Sequence, residues 1–367
     1  MADTPEPDRV EGAPHPRDTP RLFGQNAAED SFLRAFGGGR LHHGWLITGP
    51  RGVGKATLAW RIARFLLTQD PGGGLFGPPE TLDVSSDHPV AHRIQAGAEP
   101  GLLVIRRGAD DKTGKLRSQI TVDEVRKLRD FFGLSSAEGG RRVVLVDAAD
   151  EMNANAANAL LKLLEEPPAG ASLLLVAHQP SRLLPTIRSR CRELRLAPLG
   201  PEDMGRALGQ ALGHDEGGAE LAELSGGSVG EAIRLLAGGG LALYADIVAL
   251  LAEIPRLSRP ELLKLCNSMI GKDSELRFDL TVRLVDLALA RLARTGATGT
   301  PPAEATPGEA RVLTRLAPDA RAARIWAEQA SDLGARARGA RAVNLDPGAL
   351  VLDMFLRLES AARMAAG

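Results

Sequence analysis

The sequence predicts an α/β fold, a parallel five-stranded sheet with helices between its strands, followed by an all-helical remainder. Three observations predict it. Five short apolar runs, at residues 45–48, 102–105, 143–146, 173–177 and 194–196, lie near the length of buried parallel strands. The segments between them carry one-sided apolar patterns of helical period, the alternation that builds parallel sheets. Beyond Pro198 the strand signals stop.

Taken in order, residues 1–20 are polar and proline-rich and read as a disordered leader, without the apolar stretch of a secretory signal. A helix spans 55–67, where Leu58, Ile62, Phe65 and Leu66 share one side. Residues 71–101 are rich in glycine and proline and predict a surface excursion. Thr121 and Glu124 have the spacing of a capping box that opens a helix toward Phe132. The next helix, 153–166, is stopped by Pro167 and Pro168. A short helical block ends near Leu236, and Gly238, Gly239 and Gly240 mark a boundary. Amphipathic helices follow at 275–295 and 349–358, the second opened by Asp346 as N-cap and Pro347 in the first turn, with a flexible loop at 296–308. The predicted organisation is a leader (1–20), a sheet domain (21–198), a small helical domain (199–238) and a C-terminal helical domain (241–367).

Composition excludes several classes. A chain of 367 residues exceeds what one core supports. Its most apolar stretch, 241–254, is interrupted by Asp246 and Glu253, so no segment reads as a membrane span and the expected location is the cytoplasm. Cys191 and Cys266 are too few for a disulfide framework or a four-cysteine zinc site. A formal charge of −1 argues against a strongly basic nucleic-acid binder, though a local basic face fits within a larger assembly.

The chemistry-bearing motif is Gly49-Pro-Arg-Gly-Val-Gly-Lys-Ala-Thr57, which follows the first strand and opens a helix, the setting of a phosphate loop. Gly49, Gly52 and Gly54 let backbone N–H groups converge on phosphate oxygens, and Lys55 adds charge at the helix N-terminus. One position departs from the pattern. The residue after the lysine should bear a hydroxyl for Mg²⁺, and here it is Ala56. Thr57 carries a hydroxyl, but one step along a helix turns it about 100° away. The expectation is phosphate binding with impaired magnesium coordination; the plain alternative is a glycine turn that merely joins strand to helix.

A second strand, 142–147, ends in Asp147, which places a carboxylate beside a nucleotide's metal. The next residue is Ala148, whose methyl group can neither accept a proton nor orient a water. Asp150 and Glu151 lie past the strand end and read as a solvated helix start.

Two further motifs are more specific: Asn158-Ala-Leu-Leu-Lys-Leu-Leu-Glu-Glu-Pro-Pro168 and Leu184-Pro-Thr-Ile-Arg-Ser-Arg190-Cys191. With Gly24-Gln25 and Arg40-Leu-His-His-Gly44 they closely resemble bacterial clamp-loader subunits of DNA polymerase III, strongly over 22–198, moderately to about 236 and weakly in the helical remainder. The resemblance implies an AAA+ P-loop domain, a small helical lid and an all-α collar. In the family's ATPase motors a glutamate that polarises the attacking water stands in the place of Ala148. The motors also carry a polar sensor of adjacent threonines within Ala177-His178-Gln179, and a phosphate-sensing arginine in the place of Gly230. With Ala56, four catalytic positions are altered here, while Lys55 and Arg190 remain. In the family an arginine in the place of Arg190 reaches the ATP of the next subunit as an arginine finger. Arg188 could share that role, and an ordinary salt bridge is the alternative for Arg190.

The resemblance therefore implies a non-hydrolysing stator without ATPase activity of its own, part of a DNA polymerase holoenzyme that loads a sliding clamp onto primed DNA. Its implied partners are the ATPase motor and delta subunits, and indirectly the clamp, the polymerase core and DNA; no membrane is implied. ATP or ADP is the ligand its loop could take, and no zinc is expected. Clamp-loader subunits of this type often carry a four-cysteine zinc module, but residues 71–101 contain no cysteine, and His88 and His92 lack companions. Two rivals stand beside this reading. One is an active motor using Thr57 and Asp150 as stand-ins; the other is a small-molecule P-loop kinase, which leaves the two specific motifs unexplained.

Overall fold

The computed structural model describes residues 6, 7, 9–39, 41–69, 79–110, 113–133, 140–213, 217–271, 274–342 and 346–366. Arg40, residues 71–78 of the predicted excursion, and leader residues 1–5 and 8 lie outside these. Met1–Asp215 with Ser228–Glu231 make one compact unit; Glu216–Gly227 with Ala232–Gly367 make another.

In the first unit β1 (Gly44–Thr48), β2 (Leu102–Arg106), β3 (Arg142–Asp147), β4 (Ala171–Ala177) and β5 (Arg192–Arg195) form an all-parallel sheet in the order β2-β3-β4-β1-β5. Its connecting helices are α1 (Asn26–Gly37), α2 (Lys55–Thr68), α3 (Pro89–Gln95), α4 (Val122–Gly133), α5 (Ala154–Glu165), α6 (Pro185–Arg188) and α7 (Pro201–Leu212). Central strands β1 and β4 are buried along their whole length, as their unbroken apolar sequences require. The edge strand β5 buries only Leu194 and turns Arg192, Glu193 and Arg195 to solvent, charges that discourage further strand pairing. Leu160 and Leu164 of α5 pack with Leu46, Val144 and Leu173 of the sheet. Phe32 and Trp45 meet with ring centroids 5.0 Å apart, and Phe32 meets Phe65 at 6.3 Å.

The caps explain where helices begin. Asn153 Oδ1 accepts the N–H of Ala156 at 2.9 Å, fixing the start of α5. The helix expected after Thr121 does begin at Val122, but the capping box is not made. Thr121 Oγ1 is buried without a hydrogen-bond partner, and Glu124 bonds Lys127 at 2.6 Å instead.

Three expectations change. Residues 9–20, predicted to be disordered, lie against the domain: Pro16–Asp18 form a 3₁₀ turn, and buried His15 meets the edge of Trp60 on α2 at 5.7 Å. Residues 79–101, predicted to be a surface excursion, include α3, which buries Val90, Ala91 and Ile94. The loop at 296–308 begins inside a helix that runs to Thr298, and its Ala305 is buried, donating its N–H to Glu309 at 2.7 Å. In each case burial against the rest of the fold outweighs the local composition.

The second unit is helical: α8 (Gly218–Ser225), α9 (Val229–Ala237), α10 (Gly240–Glu253), α11 (Arg259–Asn267), α12 (Ser274–Thr298), α13 (Glu309–Leu316), α14 (Ala320–Ala342) and α15 (Pro347–Ala366). The opening residues of α9 group with the first unit. Asp346 caps α15, accepting the N–H of Ala349 at 2.8 Å. At the centre Arg291 of α12 holds Glu309 of α13 through Nε at 2.7 Å and Nη2 at 3.2 Å. Tyr244 of α10 donates to Glu309 at 2.6 Å, and Glu223 of α8 accepts from Arg291 at 3.1 Å. Burial alone would lower the pKa of Arg291, but its bonds to Glu309 and Glu223 and the charges around it raise it. No single helix among the described residues is long and apolar enough to cross a membrane.

Candidate functional site

The phosphate loop lies between β1 and α2, at the edge of the sheet where the parallel strands end. Gly49, Gly52 and Gly54 all have positive φ, at 138°, 77° and 100°. A Cβ at Gly49 would lie 2.5 Å from the carbonyl oxygen of Leu196, and one at Gly52 2.3 Å from Ser228 Oγ, so close approach as well as conformation demands glycine. Gln25 clamps this region, donating to the Ala197 carbonyl at 2.7 Å and accepting the Ala197 N–H at 3.1 Å.

Lys55 is buried and turned back on its own loop, donating to the carbonyls of Gly49 at 2.8 Å and Pro50 at 2.5 Å. Burial pulls its pKa down to about 8, against the opposing charges of Asp147 and Asp150. Asp147 is buried at the end of β3, and Ala148 after it is 2% exposed. Thr57 and Ala56 are half-buried on α2.

Asp150, expected as a solvated helix start, is instead 8% exposed. Its two carboxylate oxygens accept the backbone N–H groups of His178 at 3.0 Å and Gln179 at 2.9 Å. Both oxygens are thus committed to the end of β4, where unpaired amides would be costly. The His178 imidazole beside them is held down to about 4, first by burial and then by the positive charges of Lys55 and Arg51. Glu151 reaches Arg107 at 2.8 Å and Arg51 at 3.4 Å.

Gly230 also comes to the loop. Its N–H donates to the Gly52 carbonyl at 3.0 Å, and the Ser228 hydroxyl donates to the Arg51 carbonyl at 2.8 Å. A Cβ on Gly230 would meet Gly52 Cα at 3.2 Å. Sequence reading flagged Gly230 for the arginine it lacks and missed that its smallness lets the backbone seat on the loop.

Arg190 lies apart from these residues, between α6 and β5. Its guanidinium pairs with Glu165 at 2.9 Å and donates to the Thr186 carbonyl at 3.1 Å. With the side chains 36% and 49% exposed, such a pair contributes at most about 1 kcal/mol. Arg188 is exposed. Burial pushes the Cys191 thiol up to about 12, far from a reactive thiolate. His88 caps α3, accepting the Val90 N–H at 3.2 Å, and among the described residues no group of three or more His, Cys, Asp or Glu could hold a metal ion.

A five-stranded parallel sheet in this order, with a phosphate loop after β1 and an acidic end on β3, defines a P-loop domain of the AAA+ class. Residues 24–200 match the family described as "DNA polymerase III, delta subunit". It is 40% identical over 216 residues to the DNA polymerase III subunit delta′ of Pseudomonas aeruginosa, covering 58% of this chain and 61% of that one. It is 34% identical over 211 residues to the delta′ subunit of Escherichia coli, covering 57% and 59%. The chain thus spans about three-fifths of the length of these curated relatives. A solved gamma-subunit-related protein of Thermotoga maritima aligns over 90% of this chain and 99% of its own at 18% identity, with a TM-score of 0.36, too distant a likeness to bear on function.

Proposed function

We propose that the chain is a delta′-type stator of a DNA polymerase III clamp loader, which hydrolyses no ATP itself and lends Arg190 to the ATP site of a neighbouring motor subunit. One observation carries the reading: the positions where a motor would hold its water-activating glutamate and its magnesium hydroxyl are alanines, and the nearby carboxylate is bonded to backbone. Ala148 has no proton acceptor, Ala56 has no hydroxyl, and both oxygens of Asp150 are bonded to backbone amides. The last point argues against the active-motor rival, which needs Asp150 as its base.

Arg190 fits the other half of the proposal. A pair as exposed as Arg190–Glu165 can be exchanged for a triphosphate at small cost. An arginine supplied in trans to a transferring phosphate accelerates hydrolysis by roughly 10³–10⁵-fold. The guanidinium offers two parallel donors to the γ-phosphate oxygens as charge builds there, and takes no part in proton transfer. Lys55 and the glycine amides could hold ATP or ADP with impaired magnesium coordination. Residues 199–238 would serve as the lid and 241–367 as the collar. The partners would be motor and delta subunits, and through them the clamp, the polymerase core and primed DNA, in the cytoplasm.

The test is steady-state ATP turnover by the isolated chain beside its Lys55→Ala variant. Equal background rates are expected; a brisk rate that Lys55→Ala abolishes would establish the motor instead. Clamp and polymerase subunits should also co-purify with the chain from cells.

A further inference from the structure

The end of α5 and the turn that carries Arg190 are held together from beneath. Gly44, the first residue of β1, leaves room for both: a Cβ there would lie 3.0 Å from Leu164 Cδ2, 3.1 Å from the Arg190 carbonyl oxygen and 3.3 Å from Cys191 Sγ. His43 Nε2 lies 3.0 Å from the Leu164 carbonyl oxygen, which ties the last turn of α5 to the start of β1. The Arg190 N–H donates to the Ile187 carbonyl at 3.1 Å, and two residues on, β5 joins β1, with Arg192 in register with Trp45. Both backbones are therefore fixed, and Leu164 and Ile187 are buried below them.

One exposed pair sits on this floor. Arg190 Nη2 lies 2.9 Å from Glu165 Oε1, and Arg190 Nη1 donates to the Thr186 carbonyl at 3.1 Å. Glu165 is the last residue of α5, where the helix dipole is negative and a carboxylate is unfavourable. The helix gains nothing from an acidic residue there. The arginine does, because carboxylate and helix end together make a negative site for its cation. With both backbones fixed, the guanidinium leaves this site by a change of rotamer, a step that exposed side chains make in picoseconds to nanoseconds.

We propose that Glu165 is the positioning residue of Arg190: it parks the guanidinium at the end of α5 and yields it to the terminal phosphate of a neighbouring subunit's ATP. The inference rests on the reading that Arg190 acts in trans. The phosphate carries more charge than the carboxylate and takes the same donors, so the guanidinium exchanges one anion for another. The pair is broken whenever Arg190 engages the phosphate, in the ground state and in the transition state alike. Glu165 therefore weakens the neighbour's ATP binding and leaves the rate of the bound complex unaltered.

The experiment compares reconstituted loaders whose copy of this chain is natural, Glu165→Gln, Arg190→Ala or both, titrating ATP at saturating clamp and primed DNA. Urea midpoints of the isolated chains check that each substitution leaves the fold intact. Glu165→Gln should lower the ATP concentration at half-maximal turnover by about two- to five-fold, the range an exposed ion pair can supply, with the maximal rate unchanged. On the Arg190→Ala background the same substitution should shift nothing. An unchanged half-saturation in Glu165→Gln, with Arg190→Ala still slowing turnover, would overturn the parking role and leave the trans-acting arginine standing. A shift of equal size on the Arg190→Ala background would also overturn it, since Glu165 would then act through another group. Full turnover in the Arg190→Ala loader would overturn the trans-acting arginine, and the parking role with it.

Discussion

Gly230 donates its backbone N–H to the carbonyl of Gly52 at 3.0 Å, which seats the opening turn of α9 on the phosphate loop. Gly52 has a φ of 77°, and a Cβ there would lie 2.3 Å from Ser228 Oγ. Gly52→Ala should therefore destabilise the chain by about 2–4 kcal/mol in urea unfolding, combining left-handed strain with overpacking. Gly12→Ala, at a φ of 81° with nothing within 4 Å of the new methyl, should cost only about 1–2 kcal/mol. Equal losses at the two positions would remove the packing argument.

Asp150→Ala should destabilise the isolated chain by about 2–4 kcal/mol, because the His178 and Gln179 amides lose a charged acceptor. Asp150→Asn keeps one carbonyl acceptor and should lose less. Urea midpoints of the three proteins check the order; an Asp150→Ala variant as stable as the natural chain would return Asp150 to the role of a free carboxylate.

His178 gives the fold an acid sensitivity of known sign. Its folded pKa lies near 4 against an ordinary 6.5, so the unfolded chain binds the extra proton between these values. The contribution is fully present above pH 6.5 and is lost as pH falls toward 4. Between pH 7.5 and 5 the loss from this one group should be about 1–2 kcal/mol. His178→Gln should flatten that part of the stability profile, and an unchanged slope would show that other groups carry it.

Arg291 and Glu309 are both buried and tie α12 to α13, with Tyr244 and Glu223 as further partners. Arg291→Met should cost about 3–5 kcal/mol, since it leaves the Glu309 carboxylate buried without its cation. Arg291→Met combined with Glu309→Leu should recover part of the loss. Thermal unfolding of the single and double variants measures both effects.

The sheet was legible because parallel strands covered on both faces appear as continuous apolar runs, as at residues 143–146 and 173–177. The phosphate loop was legible because its glycines and lysine fall at fixed spacing between a strand and a helix. What escaped was long-range and polar. Glu6 meets Arg106 a hundred residues away, and Asp150 meets amides 28 and 29 residues on. Such pairs have no period in the sequence, and a proline-rich leader held by one carboxylate and one buried histidine has the composition of a disordered one. Leu194 shows the same limit within the sheet: β5 is set by pairing with β1 and begins at Arg192, ahead of the apolar residues.

The central claim is that a chain with no hydrolytic residues of its own keeps Arg190 for its neighbour. The most direct measurement is clamp- and DNA-stimulated ATP turnover by a reconstituted loader containing Arg190→Ala in this subunit, with assembly checked by gel filtration. The account predicts an intact complex whose turnover falls by about ten-fold or more, given what a trans-acting arginine contributes. An intact complex turning over ATP at the unaltered rate would contradict it.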